Sequence, residues 1–189
     1  SGMVLGLGTG STVAHFLDVL AAKLSQGGLS DIVGVPTSAW TDREARKAGI
    51  ELIGLGDQDR VLDILVKECE MASAEMGIMA FPGVELTHVP PKRIGEAARK
   101  AKSLGAKIVL VHGETIKEPV VEGTNRAALE SPDVDILVHP GMLTEEEAEM
   151  AKKAGIYLEL TARAGHSLTN GHVARTAIAV GASLVVDSD

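Results

Sequence analysis

Glu85, His112 and His139 stand at or just beyond the C-terminal ends of three successive apolar runs, in the contexts Pro-Gly-Val-Glu, Val-His-Gly-Glu and Val-His-Pro-Gly. Imidazole and carboxylate are the donor groups that hold a divalent cation. A cation so held makes water nucleophilic near neutral pH and neutralises an anionic ester. The final apolar run closes on Asp187 and Asp189, which adds carboxylates to the same set. Any one of these residues alone is more often a hydrogen-bonded core or loop group. Their recurrence at consecutive strand ends is what points to a metal.

Two further groupings could bind an anion. Gly6-Leu7-Gly8-Thr9-Gly10-Ser11-Thr12 follows a strand-like run and opens a helical one. Backbone N–H groups and the Thr9, Ser11 and Thr12 hydroxyls can therefore converge on a phosphate at a helix N-terminus, with Gly8 and Gly10 allowing close approach. A tight turn in which Ser11 or Thr12 merely caps the helix accounts for the same residues. No Lys follows, so this is not a P-loop. Near the other end, Arg163, His166, Asn170 and His172 form a polar cluster before a helical stretch. It suits contacts to a substrate anion, or a helix capped by Thr169 or Asn170 with solvated histidines beside it.

The elements that must position these groups alternate between strand and helix. Apolar runs of strand length recur at 3–7, 32–35, 50–55, 79–86, 107–111, 134–138, 157–160 and 183–186. Helical spacing fills 11–24, 38–48, 58–76, 91–104, 121–129, 144–154 and 169–180. Thr144 followed by Glu147 reads as a capping box, and Gly49, Gly77, Gly105, Gly155 and Gly181 sit where helices stop before the next strand. Eight strands joined by helical crossovers give the expected fold: an α/β (β/α)8 TIM-like barrel of parallel strands lacking its last helix. An open doubly wound parallel sheet is the alternative. Since no helical stretch follows the eighth run, an apolar side of the barrel is expected to lie uncovered, available to a second copy in a homodimer.

Composition narrows the function classes. Hydrophobic residues make up 45% but aromatics only 2%, so the core must be filled by Val, Ile, Leu, Ala and Met, as in buried parallel strands and the helices that cover them. A net charge of -8 without a basic cluster argues against nucleic acid and membrane surfaces, while a small phosphorylated ligand remains compatible with local backbone donors. The single Cys69, read as a small buried group, fits a reducing compartment. With no run approaching the roughly 18 apolar residues of a membrane span, a cytoplasmic location is expected. At 189 residues one α/β domain over 1–189 is the default.

Two stretches carry family resemblance. Gly2-Met-Val-Leu-Gly-Leu-Gly-Thr-Gly-Ser-Thr12, Asp31-Ile-Val-Gly-Val-Pro-Thr-Ser38 and Glu44-Ala-Arg-Lys-Ala-Gly-Ile50 resemble ribose-5-phosphate isomerase type A, over 1–50. The resemblance implies that Thr9, Gly10, Ser11 and Thr12 hold a sugar phosphate. That family's Asp-Gly-Ala-Asp-Glu and Lys-Gly-Gly-Gly-Gly stretches, which bring its catalytic groups, are absent, so isomerisation is not expected.

Residues 51–189 resemble the polymerase-and-histidinol-phosphatase (PHP) superfamily of metal-dependent phosphoesterases. The resemblance lies in Phe81-Pro-Gly-Val-Glu-Leu-Thr-His88, Val111-His-Gly-Glu-Thr115, Asp135-Ile-Leu-Val-His-Pro-Gly141, Gly165-His-Ser-Leu-Thr-Asn-Gly-His172 and Val185-Val-Asp-Ser-Asp189. It implies metal ligands Glu85, His112, His139 and Asp189, with Asp57 retained from a Thr-Asp-His turn whose His is here Gln58. The family's opening His-x-His has no counterpart in Ile32-Val-Gly-Val-Pro36. The expectation is therefore at most one weakly held divalent ion, Zn or Mn, on a chimeric or engineered scaffold of isomerase-like and phosphatase-like pieces with little or no catalysis. A working metal-dependent phosphoesterase and a sugar-phosphate binding module are the alternatives.

Overall fold

The computed structural model describes residues 4–7, 11–30, 32–36, 39–52 and 58–188. Its elements follow the sequence alternation closely: β1 (Val4–Leu7), α1 (Ser11–Ser25), β2 (Val33–Pro36), α2 (Ala39–Lys47), β3 (Glu51–Leu52), α3 (Gln58–Met76), β4 (Gly83–Leu86), α4 (Pro91–Ser103), β5 (Ile108–His112), α5 (Thr124–Leu129), β6 (Ile136–Val138), α6 (Glu145–Ala154), β7 (Tyr157–Thr161), a 3-10 turn (His166–Thr169), α7 (Asn170–Val180) and β8 (Leu184–Asp187). The expected strand at 79–86 starts late. Met79 is largely exposed, and the β4 ladder opens only where Gly83 meets Ile108.

All described ladders are parallel, and they form two sheets, β1-β2-β3 and β4-β5-β6-β7-β8. The closed eight-stranded barrel suggested by the strand count is thus not what the described ladders make. Closure needs every strand to pair on both sides. The two described residues of β3 pair with β2. An open parallel sheet, the second architecture considered, describes the five later strands. The chain divides into two compact units, 1–68 and 69–189, with the division inside α3.

In the first unit, Leu17, Leu20, Ile32, Ala45 and Ile50 form the buried cluster, flanked by Leu24, Leu29, Ala48 and Leu52. The second unit is layered. Its strand order follows the sequence, and α4 packs on α5, α5 on α6 and α6 on α7. Register aligns Leu86, Val111, Leu137, Leu158 and Leu184 in one row across the sheet. Ile94, Ala98 and Ala101 recur at helical spacing along the buried stripe of α4. Side chains alternate along a strand, so Glu85, His112 and Glu159 fall on the face opposite that row, towards the carboxyl ends where open parallel sheets bind ligands.

Local signals set several boundaries. The Thr144 hydroxyl accepts from Glu147 N, and the Glu147 carboxylate accepts in return from Thr144 N, completing the capping box. Gly155 and Gly181 close α6 and α7 in the left-handed conformation. Val186 on β8 and Ile178 on α7 are both largely exposed. No helix among the described residues is long and apolar enough to cross a membrane.

Candidate metal centre

Parallel pairing brings successive strand ends side by side. Glu85 on β4 is in register with Leu110, and His112 at the end of β5 with Val138. His139 follows β6 directly, and His166 opens the 3-10 turn after β7. Ligand atoms from Glu85, His112 and His139 all lie within 4.8 Å of one another, and so do those of His112, Glu118 and His166. Ring centroids are 4.3 Å apart for His112 and His139, 4.4 Å for His139 and His166, and 5.7 Å for His112 and His166. His88 stacks at 6.1 Å on His112.

Hydrogen bonds set the nitrogen each ring offers. His112 Nδ1 lies 3.0 Å from the Gly113 carbonyl, which can only accept, so the proton of the neutral ring sits on Nδ1 and the lone pair on Nε2. His139 Nδ1 lies 3.0 Å from Glu159 Oε2, and the same oxygen accepts from His139 N at 2.5 Å. His112, His139 and Glu159 are all buried. His112 Nε2 is enclosed and has no hydrogen-bond partner among the described residues. A buried lone pair left without a donor is costly, and a divalent cation meets that need. His139, at φ 34°, and His88, at φ 56°, hold the left-handed backbone region that histidine rarely adopts, a form of strain that clusters at functional sites.

Burial, and secondarily the neighbouring His139, lowers the pKa of His112 below the usual histidine value, so the ring stays neutral, the form that binds a metal. The folded pKa lies below the unfolded one. As pH falls below about 6.5, the unfolded chain takes up the proton first. The contribution to stability is complete above that pH and declines beneath it. Urea melts of the metal-free protein at pH 7.5 and pH 5.5 should show the lower midpoint in acid, and a drop absent in His112→Asn assigns it to this ring.

The turns that carry His112 and His139 interlock. Gly113 N donates to Val138 O at 2.9 Å, and a Cβ at Gly113 would lie 2.6 Å from that oxygen. The buried Asn125 amide spans both turns, accepting from Glu114 N at 3.0 Å and donating to Pro140 O at 2.9 Å. Glu114 Oε1 accepts in turn from Gly123 N and Asn125 N. Asn125→Ala should destabilise the protein by about 2 kcal/mol, because two buried backbone groups lose their partner. Asn125→Asp, which keeps only the acceptor, should fall between. Chemical denaturation checks both.

The remaining sequence-predicted residues divide. Asp57, Asp189, Gly8, Thr9 and Gly10 lie outside the described residues, while Ser11 and Thr12 open α1. His166 is buried among the other imidazoles. Asn170 instead binds the backbone of Thr161 through both amide atoms. His172 Nε2 is 2.7 Å from Leu143 O, and Arg163 is exposed with its N–H donating to Thr161 Oγ1. The geometry therefore groups Glu85, His112, His139 and His166, and leaves Arg163, Asn170 and His172 outside that group. Sequence reasoning missed Glu118, Glu159 and His88. Only Glu159 carried a signal, as a carboxylate between Leu158 and Leu160 inside a strand.

No family model matches the chain. An uncharacterized protein of Methanocaldococcus jannaschii is 48% identical over 130 residues, covering 66% of this chain and 60% of that protein. Ribose-5-phosphate isomerase A of Thermosynechococcus vestitus is 36% identical over 122 residues, covering 64% of this chain and 50% of the enzyme. The chain is similar to ribose-5-phosphate isomerase A. It spans roughly half to three fifths of the length of these two curated relatives. A solved ribose 5-phosphate isomerase from Plasmodium falciparum aligns with 62% of this chain and 45% of that one, at 26% identity and a TM-score of 0.29. The sequence similarity to ribose-5-phosphate isomerase A supports that relationship over part of the chain and does not support an inactive spliced scaffold. The phosphoesterase resemblance rests on the motifs alone.

Proposed function

We propose that residues 69–189 form a divalent-metal centre that hydrolyses a phosphoester. One observation carries this reading: Glu85, His112 and His139 bring ligand atoms within 4.8 Å of one another while the buried His112 Nε2 offers a lone pair that no hydrogen bond among the described residues occupies. Glu85, His112 and His139 would hold the ion. A bound divalent cation supplies Lewis acidity, which makes water nucleophilic near neutral pH and neutralises the charge of an anionic ester. The chain's own groups orient the donors. The Gly113 carbonyl fixes the His112 tautomer, Glu159 fixes that of His139, and Asn125 holds the two turns together. The phosphoester class is favoured by the motifs around Glu85, His112 and His139, which resemble those of the PHP superfamily. The test is hydrolysis of a generic phosphomonoester by the chelator-treated protein, before and after addition of Mn or Zn. Metal-dependent turnover is expected, and no turnover with any divalent ion overturns the reading.

A second reading concerns residues 1–68. Similarity to ribose-5-phosphate isomerase A favours a sugar-phosphate binding unit in which Ser11 and Thr12, at the start of α1, take part. Ribose 5-phosphate should then raise the melting temperature of the chain, and Ser11→Ala should remove the rise.

A further inference from the structure

The loop between β5 and α5 reaches across the site in a way that the motif resemblance does not account for. It runs from 113 to 123, longer than the about two to six residues usual for such a connection, and loops of this length commonly serve a site. Lys117 and Glu118, adjacent in sequence, meet Gly165 and His166, adjacent in turn. A Cβ placed on Gly165 would lie 2.9 Å from Lys117 Cγ, so the bare glycine at φ 90° is what lets the loop seat there. Glu118 is then delivered to the imidazoles. Its Oε2 is 3.5 Å from His166 Nε2 and 3.9 Å from His112 Nε2, and its Oε1 is 3.8 Å from His88 Nε2.

These separations decide between two roles. Charge-assisted hydrogen bonds between nitrogen and oxygen close to about 2.7–2.9 Å, and none of the three contacts does so. Two ligands on one tetrahedral ion, each about 2.0–2.1 Å from it, stand about 3.3–3.5 Å apart. The Glu118–His166 pair has that spacing, and the Glu118–His112 pair is slightly wider. The carboxylate thus stands from each ring nitrogen, on three separate segments, at a separation suited to donors on one ion.

We propose that Glu118 and His166 are metal ligands, acting with His112, and that the loop bearing Glu118 is part of the metal centre. This ligand set lies outside the one implied by the motif resemblance. The inference rests on the reading of residues 69–189 as a metal centre. His112 is common to the Glu85–His139 and Glu118–His166 groups, so it joins the loop to the strand ends.

The test is zinc affinity by competition with a chromophoric chelator, together with the visible absorption of the cobalt-substituted protein. Wild type, Glu118→Gln, Gly165→Ala and His112→Ala are compared on the full chain. Glu118→Gln should weaken zinc binding by about tenfold or more and change the cobalt bands. Its metal-free melting temperature should stay at the wild-type value, because the side chain is partly exposed on a loop. Gly165→Ala should reproduce the weakened binding by displacing Lys117. Zinc affinity of Glu118→Gln within twofold of wild type, with an unchanged cobalt spectrum, overturns the inference. If wild type binds zinc and His112→Ala abolishes binding while Glu118→Gln does not weaken it, this inference alone falls. If wild type takes up no zinc, the metal-centre reading falls and carries this one with it.

Discussion

Replacing His112 by alanine should reduce zinc or manganese affinity by more than about a hundredfold, since loss of an outer-shell partner alone costs about 10–100-fold. Hydrolysis of a phosphomonoester should disappear with the metal. The size of the effect follows from position. His112 belongs to both groups of converging donors, and its Nδ1 is already committed to the Gly113 carbonyl, so no other atom of the ring can take over. Truncating a buried ring also leaves a cavity, which weakens folding by itself. His112→Asn therefore accompanies it, filling much of the space while removing the imidazole. Retained metal binding in a folded His112→Asn variant contradicts the account, whereas binding lost in both variants with the fold intact agrees with it.

The largest expected loss of stability is at Gly141. The residue holds φ 69°, and a Cβ there would lie within the van der Waals radius of the Glu114 carbonyl, 1.9 Å from its oxygen. The obstacle is backbone rather than the end of a flexible side chain, so one of the two interlocked turns must move. Gly141→Ala should cost about 3 kcal/mol or more, combining left-handed strain with overpacking. Gly155→Ala is the internal control. Its φ of 73° is nearly the same, but nothing lies within 4 Å of the added carbon, so only the conformational term of about 1–2 kcal/mol applies. Urea denaturation of the two variants separates the terms. Equal losses would mean that the turns carrying His112 and His139 are not locked against each other. Gly141→Ala should also weaken metal binding in the fraction that remains folded, because the His139 turn is the one displaced.

Much of this was legible in the residues. Apolar runs that close on a polar group mark Glu85 and His112 as strand-end residues, and the register pairing Glu85 with Leu110 then puts the two on one face. Glycine stops and the Thr144 capping box set helix boundaries from sequence neighbours alone, so those boundaries needed no knowledge of the fold. Strand pairing is different. Eight apolar runs are compatible with one barrel or two sheets, and the choice depends on which edges meet, a long-range property the runs do not encode. Here the ladders among the described residues form two sheets.

The site shows the same division. Glu159 sat in plain view inside a strand, but its bond to His139 joins residues twenty apart in the chain. Glu118 was hidden because loop residues carry no periodicity, and its approach depends on Gly165, whose role appears only when Lys117 is seen packed against it. Arg163, His166, Asn170 and His172 lie close in sequence, but the fold sets their partners: His166 stands among the imidazoles, Asn170 serves the backbone of Thr161 and His172 that of Leu143.

Metal content decides the central claim most directly. The full chain, purified without chelators, is equilibrated with zinc or manganese, freed of excess ion, and measured by elemental mass spectrometry beside His112→Asn. The account predicts tightly retained metal in the wild-type protein and its loss in the variant. Wild-type protein that retains no more metal than a protein lacking such a cluster would contradict it.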